Sequence, residues 1–293
     1  MSERIVDVGD GIELCVEELG DPGDPALLLM MGMGLGLVWW RDDLCAMLVD
    51  RGFRVIRYDH RDVGRSTPQA GPTPGALALL TRRATPVYTL EDLADDAGRL
   101  LAVVAPEGAH VAGVSLGSFV AQATAIRHPA LVRSLTSIMG RPGDGRTGKV
   151  AWRMRPEFLR SGPRDPAGAA EHLVGTFRRI GSERRTAEDD EDVRVALARS
   201  GRRERGDGAG GGRQFAAVLA ERDRTAGLRG LDLPALVLHG TRDRVVLPSG
   251  GRATADAIPG AELLEVDGMG HDLPRWVWPI LVDGIARTAA RAA

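Results

Sequence analysis

The stretch HVAGVSLGSF, residues 110–119, places one glycine two residues before Ser115 and another two residues after it. Two local structures are compatible with this spacing: an ordinary tight turn, or a strained strand-to-helix turn that exposes a nucleophilic hydroxyl. The strained turn needs glycines, since a side chain beside the serine would clash with the packed strand and helix. The pentapeptide alone leaves both interpretations open, so the rest of the chain must decide.

Apolar runs alternate with helical patterns on both sides of this stretch. The run Ala26 to Met31 is typical of a strand covered on both faces, whereas Ile12 to Glu18 alternates and predicts an antiparallel edge strand. Thr89, followed by Glu91 and Asp92, predicts a helix start because acidic residues suit its N-terminal dipole. Further strands are predicted at residues 53–58, 110–112, 132–139, 235–239 and 261–266, and further helices at 40–50, 116–126 and from about 276.

This alternation predicts an α/β fold with a mostly parallel sheet and helices on both faces. It stops between residues 140 and 231, where helical patches and the charge run SERRTAEDDED replace the strands. The chain therefore divides into a core domain, residues 1–140 and 231–293, and a helical insertion, residues 141–230. The glycine tract at 208–212 is predicted to be a mobile surface loop.

The composition argues for a small-molecule enzyme or binder. The chain has 293 residues, 43% of them hydrophobic, and a formal net charge of −2, which disfavours nucleic acid or an anionic membrane as the partner. No secretory signal or membrane span is evident, so a cytoplasmic location is expected. Cys15 and Cys45 lack metal-ligand spacing and are predicted to be unpaired thiols. Neither a metal nor a cofactor is predicted, and the oligomeric state stays open.

Ser115 needs a base, and that base needs an orienting acid. Asp243 follows the apolar strand ALVLHG, and His271 follows the next predicted strand, so the order Ser…Asp…His is that of α/β-hydrolases. Asp267 and Asp272 lie nearer to the histidine and remain alternative acids. Structural or solvated roles are expected for the other histidines: His60, His110, His128, His172 and His239.

Acyl transfer also needs hydrogen-bond donors for the developing oxyanion. One is expected from the N–H of Leu116, the residue after the nucleophile, and another from Met33 in the glycine-rich loop MGMGLG. The loop is also compatible with a simple packing turn. The residues predicted to line a substrate pocket are Gly34, Trp39, Trp152 and Trp276.

The segment YDHRDVGRS, residues 58–66, carries charged residues at the end of a predicted strand. Asp59 and Arg61 are expected to pair across a turn, and Gly64 permits a bend. We therefore predict a structural role for this segment.

Five motifs together resemble a known family: PALLLMMGMG, RVIRYDHRDVGRST, HVAGVSLGS, LPALVLHGTRD and DGMGHDLP. In order and spacing they are similar to the α/β-hydrolase superfamily, and most similar to bacterial polyketide methylesterases of the anthracycline type. The resemblance implies an eight-stranded, mostly parallel sheet under a helical cap. It also implies Ser115 as nucleophile, His271 as base and Asp243 as acid. Many relatives carry His-Gly at the oxyanion loop, where this chain has Met31-Gly32.

The predicted function is hydrolysis of a small-molecule carboxylic ester, such as a polyketide methyl ester, through an acyl-enzyme. A dehalogenase or epoxide hydrolase of this fold would need aspartate at position 115, so the serine there argues against both. A cofactor-free perhydrolase, thioesterase or lyase with the same triad remains an alternative. So does a non-catalytic binder, although the intact triad disfavours it.

Overall fold

A computed structural model describes residues 3–75, 85–151 and 165–292 of the chain. Its strands form one eight-stranded sheet in the order β1-β2-β4-β3-β5-β6-β7-β8. The pairs β1–β2 and β2–β4 are antiparallel and all other neighbours are parallel, as the α/β prediction requires. The strands are β1 (Arg4–Asp7), β2 (Glu13–Leu19), β3 (Ala26–Met30), β4 (Arg54–Tyr58), β5 (Ala109–Val114), β6 (Val132–Ile138), β7 (Ala235–Gly240) and β8 (Glu262–Val266).

The edge position predicted for residues 12–18 is wrong. Strand β2 occupies Glu13–Leu19 but lies between β1 and β4, so the four-residue strand β1 forms the edge. Only Val6 of β1 is buried. This short strand therefore shows neither the continuous apolar run nor the longer alternation that identified the other strands.

The central strands are buried on both faces, which explains their continuous apolar sequences. Every residue of β3, β5 and β7 is buried. Successive residues of a strand point to opposite faces. Accordingly, Leu28 belongs to one apolar cluster, whereas its neighbours Leu27 and Leu29 belong to another. The sheet is therefore a rigid support whose carboxyl edge carries the candidate site.

Helices cover this sheet and fill much of the region between β6 and β7. The second helix begins at Thr89, as predicted, with a capping box in which Thr89 and Asp92 bond each other's backbone N–H. The helices are α1 (Asp42–Val49), α2 (Leu90–Val104), α3 (Leu116–Arg127), α4 (Pro166–Ile180), α5 (Ala187–Gly201), α6 (Gly210–Leu219), α7 (Thr225–Arg229), α8 (Ser249–Ala257) and α9 (Trp278–Ala290).

Four of these helices, α4 to α7, follow β6, and no strand interrupts them within residues 141–151 and 165–230. This agrees with the helical patches expected there, and we keep the cap boundaries at 141 and 230 as a proposal. The prediction of a mobile loop at 208–212 is wrong, since Gly210 is buried and begins α6. A Cβ atom at Gly210 would lie 1.8 Å from the carbonyl oxygen of Asp62. The glycine therefore permits close packing, which sequence pattern could not distinguish from flexibility.

Asp59 and Arg61 of the YDHRDVGRS segment do not pair with each other, contrary to prediction. Asp59 binds Arg203, at 2.8 Å, and Arg61 binds Asp96 of α2 through two contacts of 2.6 Å. Each therefore ties its loop to a distant helix or loop, which keeps the role structural.

Two further sequence expectations concern cysteines and membranes. Cys15 and Cys45 are both buried and unpaired, as predicted. Among the described residues, no helix combines the length and the hydropathy required to cross a bilayer.

Candidate active site

Ser115 occupies a strained turn between β5 and α3. Its φ of 54° and ψ of −116° lie in a region that non-glycine residues rarely adopt. A Cβ atom at Gly113 would lie 2.0 Å from the carbonyl oxygen of Gly117, and one at Gly117 would lie 2.0 Å from that of Met30. Both glycines are thus required by close backbone packing, which identifies the turn as the elbow rather than an ordinary serine turn.

The structure brings Ser115, His271 and Asp243 together at the carboxyl edge of the sheet. His271 Nε2 lies 2.9 Å from Ser115 Oγ, and His271 Nδ1 lies 2.7 Å from Asp243 Oδ2. Because a carboxylate only accepts hydrogen bonds, Nδ1–H donates to Asp243, and in the tautomer that carries this proton Nε2 accepts from the serine hydroxyl. The continuous chain of hydrogen bonds can move the serine proton onto the imidazole.

Asp243 is fully buried yet well supplied with donors. Its Oδ1 accepts the backbone N–H groups of Val245 and Val246, at 2.8 and 2.9 Å. A second histidine, His239, places Nε2 3.5 Å from Oδ2. Burial alone would raise the pKa of Asp243, but the two neighbouring histidines outweigh it and lower the pKa to about 2. The carboxylate is therefore charged throughout the neutral range, facing His271.

The loop after β3 approaches the serine closely. A Cβ atom at Gly32 would lie 3.7 Å from Ser115 Cβ, and Met33 follows it on the cavity wall. Leu116 is the first residue of α3, so its N–H has no acceptor within the helix. These two predicted oxyanion donors therefore flank the serine from separate segments.

A buried histidine supports the loop after β3. His60 Nε2 lies 3.1 Å from the carbonyl oxygen of Met31, and its Nδ1 lies 3.1 Å from Tyr58 Oη. Burial lowers the pKa of His60 to about 4, so the ring is neutral and Nε2–H donates to Met31. The sequence predicted only a structural role for His60, and its contact explains how the Met31-Gly32 loop is held.

The loop that carries His271 is tied to the helical region. The backbone N–H of His271 donates to the carbonyl oxygen of Ile180, at 2.8 Å. The Asp272 carboxylate accepts Ser182 N–H and Oγ–H at 2.9 and 2.6 Å, and its other oxygen lies 2.5 Å from Arg185. Asp272 thus anchors the segment between α4 and α5 instead of orienting the histidine. Nothing in the sequence pattern indicated these contacts, because they join residues about 90 positions apart.

A cavity of about 360 Å³ opens beside Ser115 and His271. Most of its wall is apolar, and charged side chains enter from the helical region. The lining residues are Met31, Gly32, Met33, Leu35, Trp39, Arg41, Val114, Ser115, Met139, Leu173, Thr176, Phe177, Ile180, Arg185, Asp189, Asp192, Val193, Val245, His271, Asp272, Leu273, Pro274 and Trp278. Such a cavity suits a mainly apolar small molecule with a few polar contacts.

The pocket residues predicted from sequence have different outcomes. Trp39 lines the cavity and stacks on Phe177 with ring centroids 5.8 Å apart. Gly34 and Trp276 do not line it, so those predictions are wrong. Gly34 turns away to pack against Gly211, and the Trp276 ring is covered by the Arg184 guanidinium, 4.1 Å from its centroid. Trp278 takes the wall position instead.

The fourth pocket candidate, Trp152, lies outside the described residues. Within residues 3–75, 85–151 and 165–292, no group of three or more His, Cys, Asp or Glu side chains is arranged to hold a metal ion.

The chain matches known proteins over most of its length. A family model described as the alpha/beta hydrolase fold matches residues 25–274. The chain is 30% identical to the rhodomycin D methylesterase DauP of Streptomyces sp. strain C5, covering 90% of this chain and 91% of that protein. It is 29% identical to the rhodomycin D methylesterase DnrP of Streptomyces peucetius, over 94% and 93% of the two chains.

A solved esterase structure has the same fold. The esterase RhEst1 of Rhodococcus sp. ECU1013 is 22% identical, and the two chains superpose over 100% of each with a TM-score of 0.75. At that identity the likeness establishes the fold alone. The family match over most of the chain goes further, and this protein belongs to the α/β-hydrolase fold family.

Proposed function

We propose that this enzyme hydrolyses its ester through a covalent acyl-enzyme on Ser115, with His271 as general base and acid and Asp243 as the orienting acid. The observation that carries the proposal is the hydrogen-bond chain from Asp243 through His271 to Ser115 Oγ, which ends in an apolar cavity. A nucleophile, a base and a buried acid in this geometry match the requirements of acyl transfer.

In the first step, Ser115 Oγ attacks the ester carbonyl carbon and its proton passes to His271 Nε2. The carbonyl oxygen becomes an oxyanion, and the imidazolium that forms is stabilised by the Asp243 carboxylate. Collapse of the tetrahedral intermediate breaks the bond to the alcohol. The leaving alkoxide takes the proton from Nε2, and the acyl group stays on Ser115.

In the second step, water replaces the alcohol. His271 Nε2 removes a proton from the water as it attacks the acyl carbon, and then returns that proton to Ser115 Oγ as the acid leaves. In both steps the oxyanion would accept the N–H groups of Met33 and Leu116. Losing one such donor typically costs about 3 kcal/mol of transition-state stabilisation, so the backbone loop matters as much as many side chains.

Carboxylic ester hydrolysis follows from the family and from the methylesterases that the chain resembles over nearly its whole length. The particular ester is our proposal: a methyl ester of a polyketide or of a similar aromatic small molecule. Two observations support it. The similar proteins of Streptomyces are named as rhodomycin D methylesterases, and the cavity wall includes Trp39, Phe177 and Trp278.

Labelling with a fluorophosphonate serine probe tests the nucleophile. We expect the wild-type enzyme to be labelled and to hydrolyse a methyl ester, and Ser115→Ala to lose both labelling and at least about 10⁴-fold in kcat. Circular dichroism of the variant checks that the fold is retained. Persistent labelling of Ser115→Ala would place the nucleophile elsewhere.

A substrate panel separates ester hydrolysis from the other reactions of this triad. Matched methyl, aryl and thioesters are compared with and without added peroxide. We expect the oxygen esters to be preferred and the rate to be independent of peroxide. A preference for thioesters, or a product oxidised only with peroxide, would contradict the proposal.

A further inference from the structure

Arg41 is a cavity-lining cation with unused hydrogen-bond donors. It directly precedes α1 and contributes to the wall of the cavity that contains Ser115. Its Nε and Nη1 atoms are buried and have no hydrogen-bond partner within the described part of the chain. Buried N–H groups without an acceptor are rare in folded proteins because they lose their bonds to water. A bound molecule that carries an acceptor oxygen would satisfy these N–H groups.

The neighbouring carboxylate does not satisfy this guanidinium. Asp192 Oδ1 lies 3.2 Å from Arg41 Nη2, the third nitrogen of the group. The same carboxylate receives two hydrogen bonds from Arg275, at 2.8 and 3.0 Å, one on each oxygen. Asp192 thus holds Arg41 in place from one side, and Nε and Nη1 are left without an acceptor among the described residues.

The charge of the wall indicates what kind of acceptor would fit. Among the described residues, Arg185 and the aspartates Asp189, Asp192 and Asp272 also line the cavity beside Arg41. Arg41 and Arg275 pair with Asp192, and Arg185 pairs with Asp272, so these cations already have counter-charges. A substrate carboxylate would therefore be desolvated without an unpaired cation among them, whereas a neutral carbonyl oxygen would accept the N–H groups without that cost.

We propose that Arg41 is a specificity-determining residue that binds a neutral, carbonyl-type oxygen on the apolar body of the substrate, at a point separate from the ester. The inference rests on the proposed function, because it assumes that this cavity receives the ester. It narrows the substrate class to uncharged esters that combine a largely apolar ring system with a second acceptor oxygen. An ester with an unsubstituted hydrocarbon body would leave the Arg41 donors unpaired.

The test compares rigid esters that differ in a single oxygen. Methyl esters of fluorenone carboxylic acids, with the ester at each ring position, are paired with the same esters of fluorene. In the wild-type enzyme we expect kcat/KM of at least one fluorenone ester to exceed that of its fluorene partner by about 10-fold to 100-fold, the effect of a hydrogen bond to a charged group. Most of this difference should appear in KM. In Arg41→Met that ratio should fall to about one.

Arg199→Met is the matched control. Arg199 lies on α5 and pairs with Asp42, the residue after Arg41, at 2.9 Å, but it does not line the cavity. Arg199→Met should keep the wild-type ratio of fluorenone to fluorene kcat/KM. The substitution weakens the contact between α1 and α5 but removes no donor from the cavity. Inhibition of 4-nitrophenyl acetate hydrolysis by fluorenone and by fluorene gives an independent binding readout, with fluorenone expected to bind more tightly only when Arg41 is present.

The proposal is overturned if no fluorenone ester or fluorenone itself gains over its fluorene partner, or if the gain persists in Arg41→Met. The monomethyl ester of a fluorene dicarboxylic acid, which keeps one free carboxylate, tests the charge argument. If it is preferred to the ketone in an Arg41-dependent way, a neutral acceptor is the wrong class. Fluorophosphonate labelling of Ser115 in the same samples reports separately on the proposed function, since it does not depend on Arg41.

Discussion

The two sides of the cavity are built from different interactions. On the sheet side, Ser115 and Asp243 follow β5 and β7, whose residues are all buried, and backbone hydrogen bonds set the register of the strands. On the helical side, arginine–carboxylate pairs join the helices to the core. Burial is non-directional and tolerant of sequence, whereas an ion pair depends on both partners and on their geometry. The sheet side therefore suits a fixed chemistry and the helical side a variable specificity.

Several of these pairs are deeply buried. Arg203 binds Asp59, Arg213 binds Asp62 at 2.6 Å, and the Arg213 and Asp62 side chains are 1% and 0% exposed. Such pairs add little net stability when formed, because both charges lose their water. Removing one partner, however, leaves the other charge buried and unpaired. The helical region is thus held by contacts that specify its position more than they stabilise the protein.

The largest effect is expected on the sheet side, from Asp243→Asn. Without the carboxylate, His271 loses the partner that orients it and stabilises its charged form. We expect kcat for ester hydrolysis to fall by about 10⁴-fold, by analogy with the serine-protease triad. Asp267→Asn is the control, because Asp267 bonds Thr241 and not the histidine, and it should change kcat little. A loss below about tenfold in Asp243→Asn would assign the acid elsewhere.

A smaller effect is expected on the helical side, from Arg213→Met. The substitution keeps the aliphatic bulk but leaves the Asp62 carboxylate buried without its cation. We expect the free energy of unfolding to drop by about 3 kcal/mol or more, measured by denaturant titration. Arg178→Met, at an arginine whose side chain is 61% exposed, should cost under about 1 kcal/mol. Equal losses in the two variants would show that the buried pair has no special role.

As the pH falls, stability should be lost first through buried histidines on the sheet side, at a higher pH than the carboxylates of the ion pairs become protonated. Burial lowers the pKa of both His60 and His110 to about 4, so between pH 6.5 and 4 the unfolded chain binds protons that the folded chain does not. Stability is then full above pH 6.5 and falls as the pH drops, by up to about 1.4 kcal/mol per pH unit for each histidine.

Denaturant titrations at pH 7 and pH 5 measure this loss. His110→Asn removes one of the two groups, so the difference in unfolding free energy between the two pH values should shrink. The same difference in the variant and the wild type would mean that His110 is already protonated in the folded protein, or that its pKa is not lowered.

The sequence determined those features that depend on local pattern. Apolar runs identified the central strands, because a strand covered on both faces must be apolar throughout. Gly113 and Gly117 around Ser115 allowed either a turn or an elbow, and Asp243 and His271 at the ends of later strands favoured the elbow. Since the carboxyl ends of parallel strands share one edge, strand order predicted that Ser115 and His271 meet, and it left Asp243, Asp267 and Asp272 as candidate acids.

Only the tertiary structure decided which distant residues touch. The predicted pair of Asp59 with Arg61 gave way to partners far along the chain, and the glycines at 210–212 proved to begin a helix pressed against Asp62. Long charged side chains have many possible partners, and glycine serves flexibility and close packing alike. Their choice depends on how the helices pack on the sheet, and no local pattern in the sequence encodes that arrangement.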